Sequence, residues 1–140
     1  MEGGKTKILI VDDDSFLLDM YAFKFSQNNF EVYTEGSAIL ALEKLKGGFR
    51  PDVMLVDIIM PEMDGFTMLD KINTDKLSPD SVKIILSNKS QQSDIDRGKQ
   101  LGVSGYIIKA NSTPLEVIDQ VISILGKKPI VPPPAPAMPN

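Results

Sequence analysis

The sequence contains neither cysteine nor histidine. Without cysteine the chain has no disulfide framework, no thiolate zinc site and no thiol nucleophile. Without histidine it has no imidazole to act as a general base or as a metal ligand. Any metal that this chain binds must therefore be held by oxygen atoms, which are the ligands that Mg²⁺ prefers and that Mn²⁺ accepts.

Long apolar runs and an excess of basic residues are also missing. No run approaches the ~18 apolar residues of a membrane span. Residues 1–5 lack the apolar segment of a signal peptide. The net charge of −4 gives no basic footprint, so we expect no nucleic-acid binding by this chain alone. These absences predict a cytoplasmic protein that does not contact membranes.

The composition that remains is that of one globular domain. The chain has 140 residues, 42% of them hydrophobic and 24% charged, which is enough to form a proper core. The segment 127–140 holds six of the ten prolines. Such a segment cannot pack as helix or sheet. We therefore predict a domain over 5–126 and an extended or disordered tail, or a linker, over 127–140.

Short apolar runs alternate along the chain with segments of helical spacing. Uninterrupted runs rich in Val and Ile are typical of strands buried on both faces of a parallel sheet. They predict five strands, which lead into Val11, Thr34, Asp57, Ser87 and Lys109. The periodic segments between and after them predict helices over 16–27, 37–46, 65–72, 90–101 and 114–125.

This alternation of strands and helices predicts an α/β fold. A parallel sheet then lies between two layers of helices, in a doubly wound (βα)5 sandwich with right-handed crossovers. Of the two common doubly wound strand orders, five strands favour the flavodoxin-like order 2-1-3-4-5.

Polar side chains follow four of the five predicted strands. Asp12 and Asp13 follow the first, Asp57 ends the third, Ser87 ends the fourth and Lys109 ends the fifth. In the order 2-1-3-4-5 these strands are neighbours, about 4.8 Å apart. The side chains should therefore meet at the carboxyl edge of the sheet, where the strand order reverses and ligands bind.

Three carboxylates this close together repel one another, and a divalent cation with oxygen ligands relieves the repulsion. The predicted site then combines an anionic nucleophile, Asp57, with a hard cation, the Ser87 hydroxyl and the Lys109 ammonium. This combination suits the transfer of a phosphoryl group onto a carboxylate, because the cations neutralise the phosphoryl oxygens.

With the I-I-M-P-E-M-D-G stretch after Asp57, these residues resemble the receiver domain of bacterial two-component response regulators, the CheY-like fold. The resemblance extends over roughly residues 5–126. It implies that Asp57 is the phosphoacceptor, with Mg²⁺ as the cofactor. It also implies that Asp13 binds the metal directly, that Asp12 acts mainly through water, and that the Ile59 carbonyl completes the protein ligands.

The resemblance further implies a switch rather than an enzyme, whose only catalysis is its own aspartyl phosphorylation and dephosphorylation. The phosphoryl group would come from a histidine kinase or a phosphotransfer protein. Ser87 would bind it, Lys109 would pair with it, and Tyr106 falls at the aromatic switch position. A downstream protein partner would bind the face made by the 90–101 helix, strand 5 and the last helix.

Four residues bear on how closely the chain follows the family. Asn88 stands where Ala or Gly is usual, which would narrow access to the phosphoryl group. Ile59 and Lys89 occupy positions that tune the phosphoryl lifetime, and an apolar Ile59 should hinder an attacking water. Ala110 replaces the Pro that usually follows the Lys in a cis bond. Because a cis bond without Pro costs ~2.5–4 kcal/mol, we predict a trans Lys109–Ala110 bond.

Two alternatives remain from the sequence. The run ending in Asp12-Asp13-Asp14-Ser15 is similar to the motif of haloacid-dehalogenase phosphatases, with Asp12 as nucleophile and Asp14 as acid/base. Ser15 misses the Thr or Val of that motif, and the chain leaves little room for a substrate cap. The other alternative is a degenerate receiver that only binds a partner.

Deletion of residues 128–140 tests the predicted tail. If the segment does not dock on the domain, the melting temperature of the shortened chain should equal that of the full chain within experimental error. Thermal unfolding followed by circular dichroism measures this, and a drop of several degrees would show that the tail docks.

Overall fold

The computed structural model describes residues 4–126, so the predicted tail lies outside the described residues. Helices and strands alternate from the first strand to the last helix, and one 3₁₀ turn follows the fifth strand. The elements are β1 (Thr6–Val11), α1 (Ser15–Ser26), β2 (Phe30–Glu35), α2 (Ala38–Lys46), β3 (Val53–Val56), α3 (Gly65–Thr74), β4 (Val82–Ser87), α4 (Gln92–Gln100), β5 (Gly105–Ile108), the 3₁₀ turn (Lys109–Asn111) and α5 (Pro114–Gly126).

The five strands form one parallel sheet in the order β2-β1-β3-β4-β5, which confirms the predicted order. The last paired residues of β1 and β3 are Val11 and Val56, and those of β4 and β5 are Ser87 and Ile108. The carboxyl ends of these four strands therefore lie at the same edge of the sheet.

Two apolar cores lie on opposite faces of the sheet, as the buried strand runs predict. On one face, α1 and α5 pack their side chains against the sheet. On the other face, α2 and α3 supply most of the buried helix residues. All four residues of β3 and all six of β4 are buried, so the central strands form a rigid platform for the residues that follow them.

Polar caps fix where the helices begin. The Asp14 side chain accepts hydrogen bonds from the first turn of α1, and Asp64 does the same for α3. Before α5, the Thr113 N–H donates to Glu116 and the Glu116 N–H donates to Thr113, and these reciprocal bonds form a capping box. None of the helices described in residues 4–126 has both the length and the apolar character that crossing a membrane requires.

Helix α4 is attached to the domain differently from the other helices. Asp94 and Gly98 are its only fully buried residues, so it buries no large apolar side chain. Arg97 instead stacks over the Phe66 ring of α3, 4.5 Å from its centroid. The Asn73 amide of α3 donates to the Leu101 carbonyl just after α4, at 2.8 Å.

Each helix differs from its predicted range by one or two residues, and two differences lie near the strand ends. Helix α4 begins at Gln92 rather than at residue 90, because the Gln91 N–H donates to the Asp94 carboxylate and so marks the helix start. Lys109 lies in the 3₁₀ turn rather than in β5, and the Ser112 N–H donates to the Lys109 carbonyl to close that turn. No peptide bond in residues 4–126 is cis, which confirms the trans Lys109–Ala110 bond.

Gly65 lies against the backbone of the β3–α3 connection. Its N–H donates to the Ile58 carbonyl at 2.9 Å. A Cβ at this position would meet the Asp57 carbonyl oxygen at 2.3 Å and the Ile58 Cα at 3.0 Å. Only glycine therefore allows α3 to begin this close to Asp57, the residue directly after β3.

Gly65→Ala should destabilise the domain by about 1–3 kcal/mol, because the added methyl group overlaps a backbone atom that cannot rotate away. Urea unfolding followed by circular dichroism measures the change. Gly36→Ala is the matched control, since a Cβ at Gly36 has no neighbour within 4 Å. Equal stability of the two variants would contradict the tight contact.

Candidate functional site

Three carboxylates meet at the carboxyl edge of the sheet. Asp12 and Asp13 directly follow β1, and Asp57 directly follows β3. Each offers a carboxylate oxygen, and these oxygens all lie within 4.8 Å of one another. Asp12 and Asp57 are buried, whereas Asp13 is exposed. The edge therefore concentrates negative charge that is partly removed from water.

Backbone hydrogen bonds fix two of these carboxylates. One oxygen of Asp12 accepts from the Asp14 N–H at 2.9 Å. One oxygen of Asp57 accepts from the Ile58 N–H at 2.7 Å, and the Asp57 N–H donates to the Val11 carbonyl at 2.9 Å. The second oxygen of each carboxylate accepts a hydrogen bond from the same side chain.

That common partner is Lys109. Its Nζ donates to Asp12 at 2.7 Å and to Asp57 at 3.1 Å. Burial lowers the pKa of Lys109, but its hydrogen bond to Asp12 and the charge of Asp57 outweigh burial and raise the pKa above its ordinary value. The side chain therefore remains an ammonium ion at neutral pH and neutralises part of the acidic cluster.

Ser87 and Asn88 lie beside this cluster, at the end of β4. Ser87 is fully buried, and its Oγ accepts from the Lys89 N–H at 3.3 Å. Asn88 is exposed, and its Oδ1 accepts from the Ala110 N–H at 2.8 Å. Ser87 of β4 pairs with Ile108 of β5, and Lys109 is the residue directly after Ile108. Ser87 and Lys109 are therefore offset by one residue across the two neighbouring strands.

Tyr106 is a residue of β5 and lies outside the acidic cluster. Its hydroxyl donates to the Lys89 carbonyl at 2.6 Å. Burial and the charges of Asp94 and Asp57 raise the pKa of Tyr106 to about 12, so the hydroxyl keeps its proton and acts as a donor. Tyr106 thus contacts the β4–α4 loop, which begins directly after Ser87.

Of the remaining predicted residues, Lys89 and Ile59 do not join the acidic cluster. The Lys89 ammonium lies 3.4 Å from the Asp94 carboxylate of α4. The Ile59 side chain, two residues after Asp57, is 60% exposed at the same edge. Lys89 therefore connects the β4–α4 loop with the helix, and Ile59 is an apolar group on the surface beside the acids.

The donor set fits a hard divalent cation. Carboxylate oxygens are the ligands that Mg²⁺ selects, and three of them converge without a competing nitrogen or sulfur ligand within residues 4–126. Lys109 now pairs with two of the three acids, so a bound cation would share Asp12 and Asp57 with this ammonium.

Three residues near the site were missed from the sequence. Tyr21 of α1 is buried, and burial raises the pKa of its hydroxyl, with smaller effects from the charges of Lys109 and Asp12. Gly65 lies against the Asp57 backbone, and Gly98 of α4 lies against the Tyr106 ring. The sequence does carry a signal for Gly98, because a glycine inside a helix is unfavourable and often has a packing reason, and Gly98 lies inside the predicted 90–101 helix.

The geometry does not favour the phosphatase alternative. Asp14 would be the acid/base there, but its carboxylate accepts the Phe16 and Leu17 N–H groups at 3.0 and 3.2 Å. A carboxylate held as a helix cap is poorly placed to move protons at a substrate. The acids that share a partner are instead Asp12 and Asp57.

Comparisons with known proteins agree with this site. The family model of the response regulator receiver domain matches residues 8–121. The chemotaxis protein CheY of Bacillus subtilis is 35% identical over 122 residues, covering 86% of this chain and 95% of CheY. The regulatory protein PhoP of the same organism is 28% identical over 127 residues, covering 91% of this chain and 51% of PhoP. The chain thus spans nearly all of CheY but about half of PhoP.

A solved structure supports the same assignment. The CheY-like receiver domain protein from Methanospirillum hungatei superposes with a TM-score of 0.79 at 26% identity, covering 89% of this chain and 96% of the other. These comparisons favour the receiver domain over the phosphatase alternative. The match over residues 8–121 includes every predicted site residue, and this chain therefore belongs to the response regulator receiver domain family of two-component signal transduction.

Proposed function

We propose that this chain is a phosphorylation switch in which Asp57 accepts a phosphoryl group from a phosphohistidine. Receiver domains interact with histidine kinases or phosphotransfer proteins, and the absence of histidine here requires the imidazole to come from such a partner. The observation that carries the proposal is the contact of Lys109 with both Asp12 and Asp57 beside Asp13.

The transfer balances as a displacement at phosphorus. One oxygen of Asp57 forms the new O–P bond, the P–N bond to the donor imidazole breaks, and its electron pair stays on the imidazole nitrogen. The Lys109 ammonium lies 3.1 Å from Asp57 and pairs with a phosphoryl oxygen there. Ser87 lies on the neighbouring strand, and its hydroxyl donates to a second oxygen after a side-chain rotation.

Asp12, Asp13 and Asp57 would hold Mg²⁺, and the Ile59 carbonyl completes the protein ligands. Mn²⁺ suits the same oxygen set. When bound, the cation supplies positive charge that neutralises the phosphoryl oxygens. Asp13 is the exposed member of the set and the one without a bond to Lys109, so it binds the cation without first giving up a partner.

Residues around the site tune how long the phosphoryl group lasts. Ile59 is an exposed apolar side chain two residues after Asp57, and it hinders an attacking water. Asn88 and Lys89 border the phosphoryl position from the β4–α4 loop. The catalysis of the chain is limited to the formation and loss of its own aspartyl phosphate, in the cytoplasm with its donor.

The output surface is the face formed by α4, β5 and α5. Helix α4 buries no large apolar side chain, so a shift of this helix costs little apolar contact. The Tyr106 hydroxyl bonds to the Lys89 carbonyl, in the loop that joins Ser87 to α4. Movement of Ser87 toward a phosphoryl group changes this loop, and a downstream protein binds the altered face.

Phosphorylation at Asp57 is tested with acetyl phosphate and Mg²⁺. Intact-mass measurement should show one added phosphoryl group on the wild-type chain and none on Asp57→Asn. Removal of Mg²⁺ with a chelator should also abolish the label, because the acids then repel the incoming anion. Asp70→Asn, an exposed acid of α3, is the control that keeps full labelling. Equal labelling of Asp57→Asn would sink the assignment.

The output face is tested by the amide chemical shifts of the wild-type chain before and after phosphorylation. The largest shifts away from the acidic site should fall in α4, β5 and α5, because the loop after Ser87 leads into α4 and bonds to Tyr106 of β5, and α5 packs against β5 at Gly105. The wild-type chain with Mg²⁺ but without acetyl phosphate is the reference state, which removes the effect of Mg²⁺ binding from the comparison. Shifts confined to α1 and α2 would contradict the proposal.

A further inference from the structure

Asn88 makes a hydrogen bond that connects two loops at the acidic edge. Its Oδ1 accepts from the Ala110 N–H at 2.8 Å, across 22 positions of the sequence. Ala110 lies in the first turn of the 3₁₀ helix, where N–H groups have no partner within the helix itself. The Asn88 side chain supplies that partner from the β4–α4 loop.

The two bonded residues each follow a residue of the phosphoryl site. Asn88 follows Ser87, and Ala110 follows Lys109. Ser87 and Ile108 are the last paired residues of β4 and β5. The side-chain bond thus continues the connection between the two strands beyond their last pair, at the point where both backbones leave the sheet.

The backbone position of residues 109 and 110 decides where the Lys109 ammonium lies. A lysine side chain is a flexible four-carbon stem with little rigidity of its own. The backbone at this turn is held by the closing bond from the Ser112 N–H, at 3.2 Å, and by the bond from Ala110 to Asn88. Of these two bonds, the one to Asn88 connects the turn to the end of β4.

We propose that Asn88 is a positioning residue that holds the Lys109–Ala110 peptide, and through it directs the Lys109 ammonium onto Asp57 and the incoming phosphoryl group. This inference rests on the proposed function of Asp57. The bond has a chemical requirement, namely an N–H at position 110. Alanine supplies one and proline does not, so the role of Asn88 depends on the residue at position 110.

A double-mutant cycle with Asn88→Ala and Ala110→Pro tests the inference. The measurement is the second-order rate of labelling by acetyl phosphate and Mg²⁺. Asn88→Ala should slow labelling about 2- to 10-fold, the range that one neutral hydrogen bond is worth. In the Ala110→Pro background the same change should have no further effect, because the donor is already missing. Additive effects in the cycle would overturn the inference.

Two further measurements separate positioning from a general loosening of the loops. The Mg²⁺ affinity of Asn88→Ala should not fall, because Asp12, Asp13 and Asp57 are unchanged and the ammonium that shares two of them with the cation is held less firmly. The amide hydrogen of Ala110 should exchange faster in Asn88→Ala. A weakened Mg²⁺ affinity or an unchanged exchange rate would refute the positioning role.

Ser90→Ala is the matched control, since Ser90 is an exposed residue of the same loop. It should label at the wild-type rate, and equal slowing in Ser90→Ala and Asn88→Ala would overturn the specific role of Asn88. If the wild type labels at Asp57 but the cycle is additive, only this inference fails. If the wild type does not label at all, the proposed function fails and the inference falls with it.

Discussion

The repulsion among three carboxylates at one edge of a parallel sheet is the constraint on which the rest of the site depends. The strand order makes β1 and β3 neighbours, so Asp12 and Asp57 are brought together whether or not their charges are balanced. Lys109 balances part of that charge from the turn after β5, a strand that lies two strands away from β3. A buried acid pair and a buried ammonium each cost free energy alone, and each makes the other tolerable.

The central strands and helix α4 differ in how firmly they are held in the domain. The central strands are buried on both faces, and four helices pack apolar side chains against them. Helix α4 is held instead by Gly98 against Tyr106, by Arg97 over Phe66 and by a few polar contacts. The acids are therefore fixed to a platform that does not move, while the helix beside Ser87 is the element with the least apolar contact to lose.

The sequence predicted the strand order and the convergence of Asp12, Asp57 and Lys109, because buried runs and strand-end residues are local signals. It placed Lys109 in β5 and began the fourth helix at residue 90, since ends of elements depend on caps that tertiary contacts select. The bond between Asn88 and the Ala110 N–H was not predictable, because it depends on the orientation of one exposed side chain and on the 3₁₀ turn that contains Ala110. The spacing of hydrophobic residues along the sequence carries no information about a hydrogen bond of this kind.

The β4–α4 loop connects the acidic edge with α4 through bonds of modest strength. The Lys89 N–H donates to Ser87, the Lys89 carbonyl accepts from Tyr106, and the Lys89 ammonium lies near Asp94 of α4. A neutral bond of this kind is worth about 0.5–1.5 kcal/mol and a bond to a charged group about 1.5–3 kcal/mol. In the proposed switch, a phosphoryl group on Asp57 would gain charge-assisted bonds from Ser87 and Lys109, and these would be comparable in strength to the bonds that hold this loop. The buried strands have far more apolar contact to lose than α4, so the effect of phosphorylation would pass through the loop to α4.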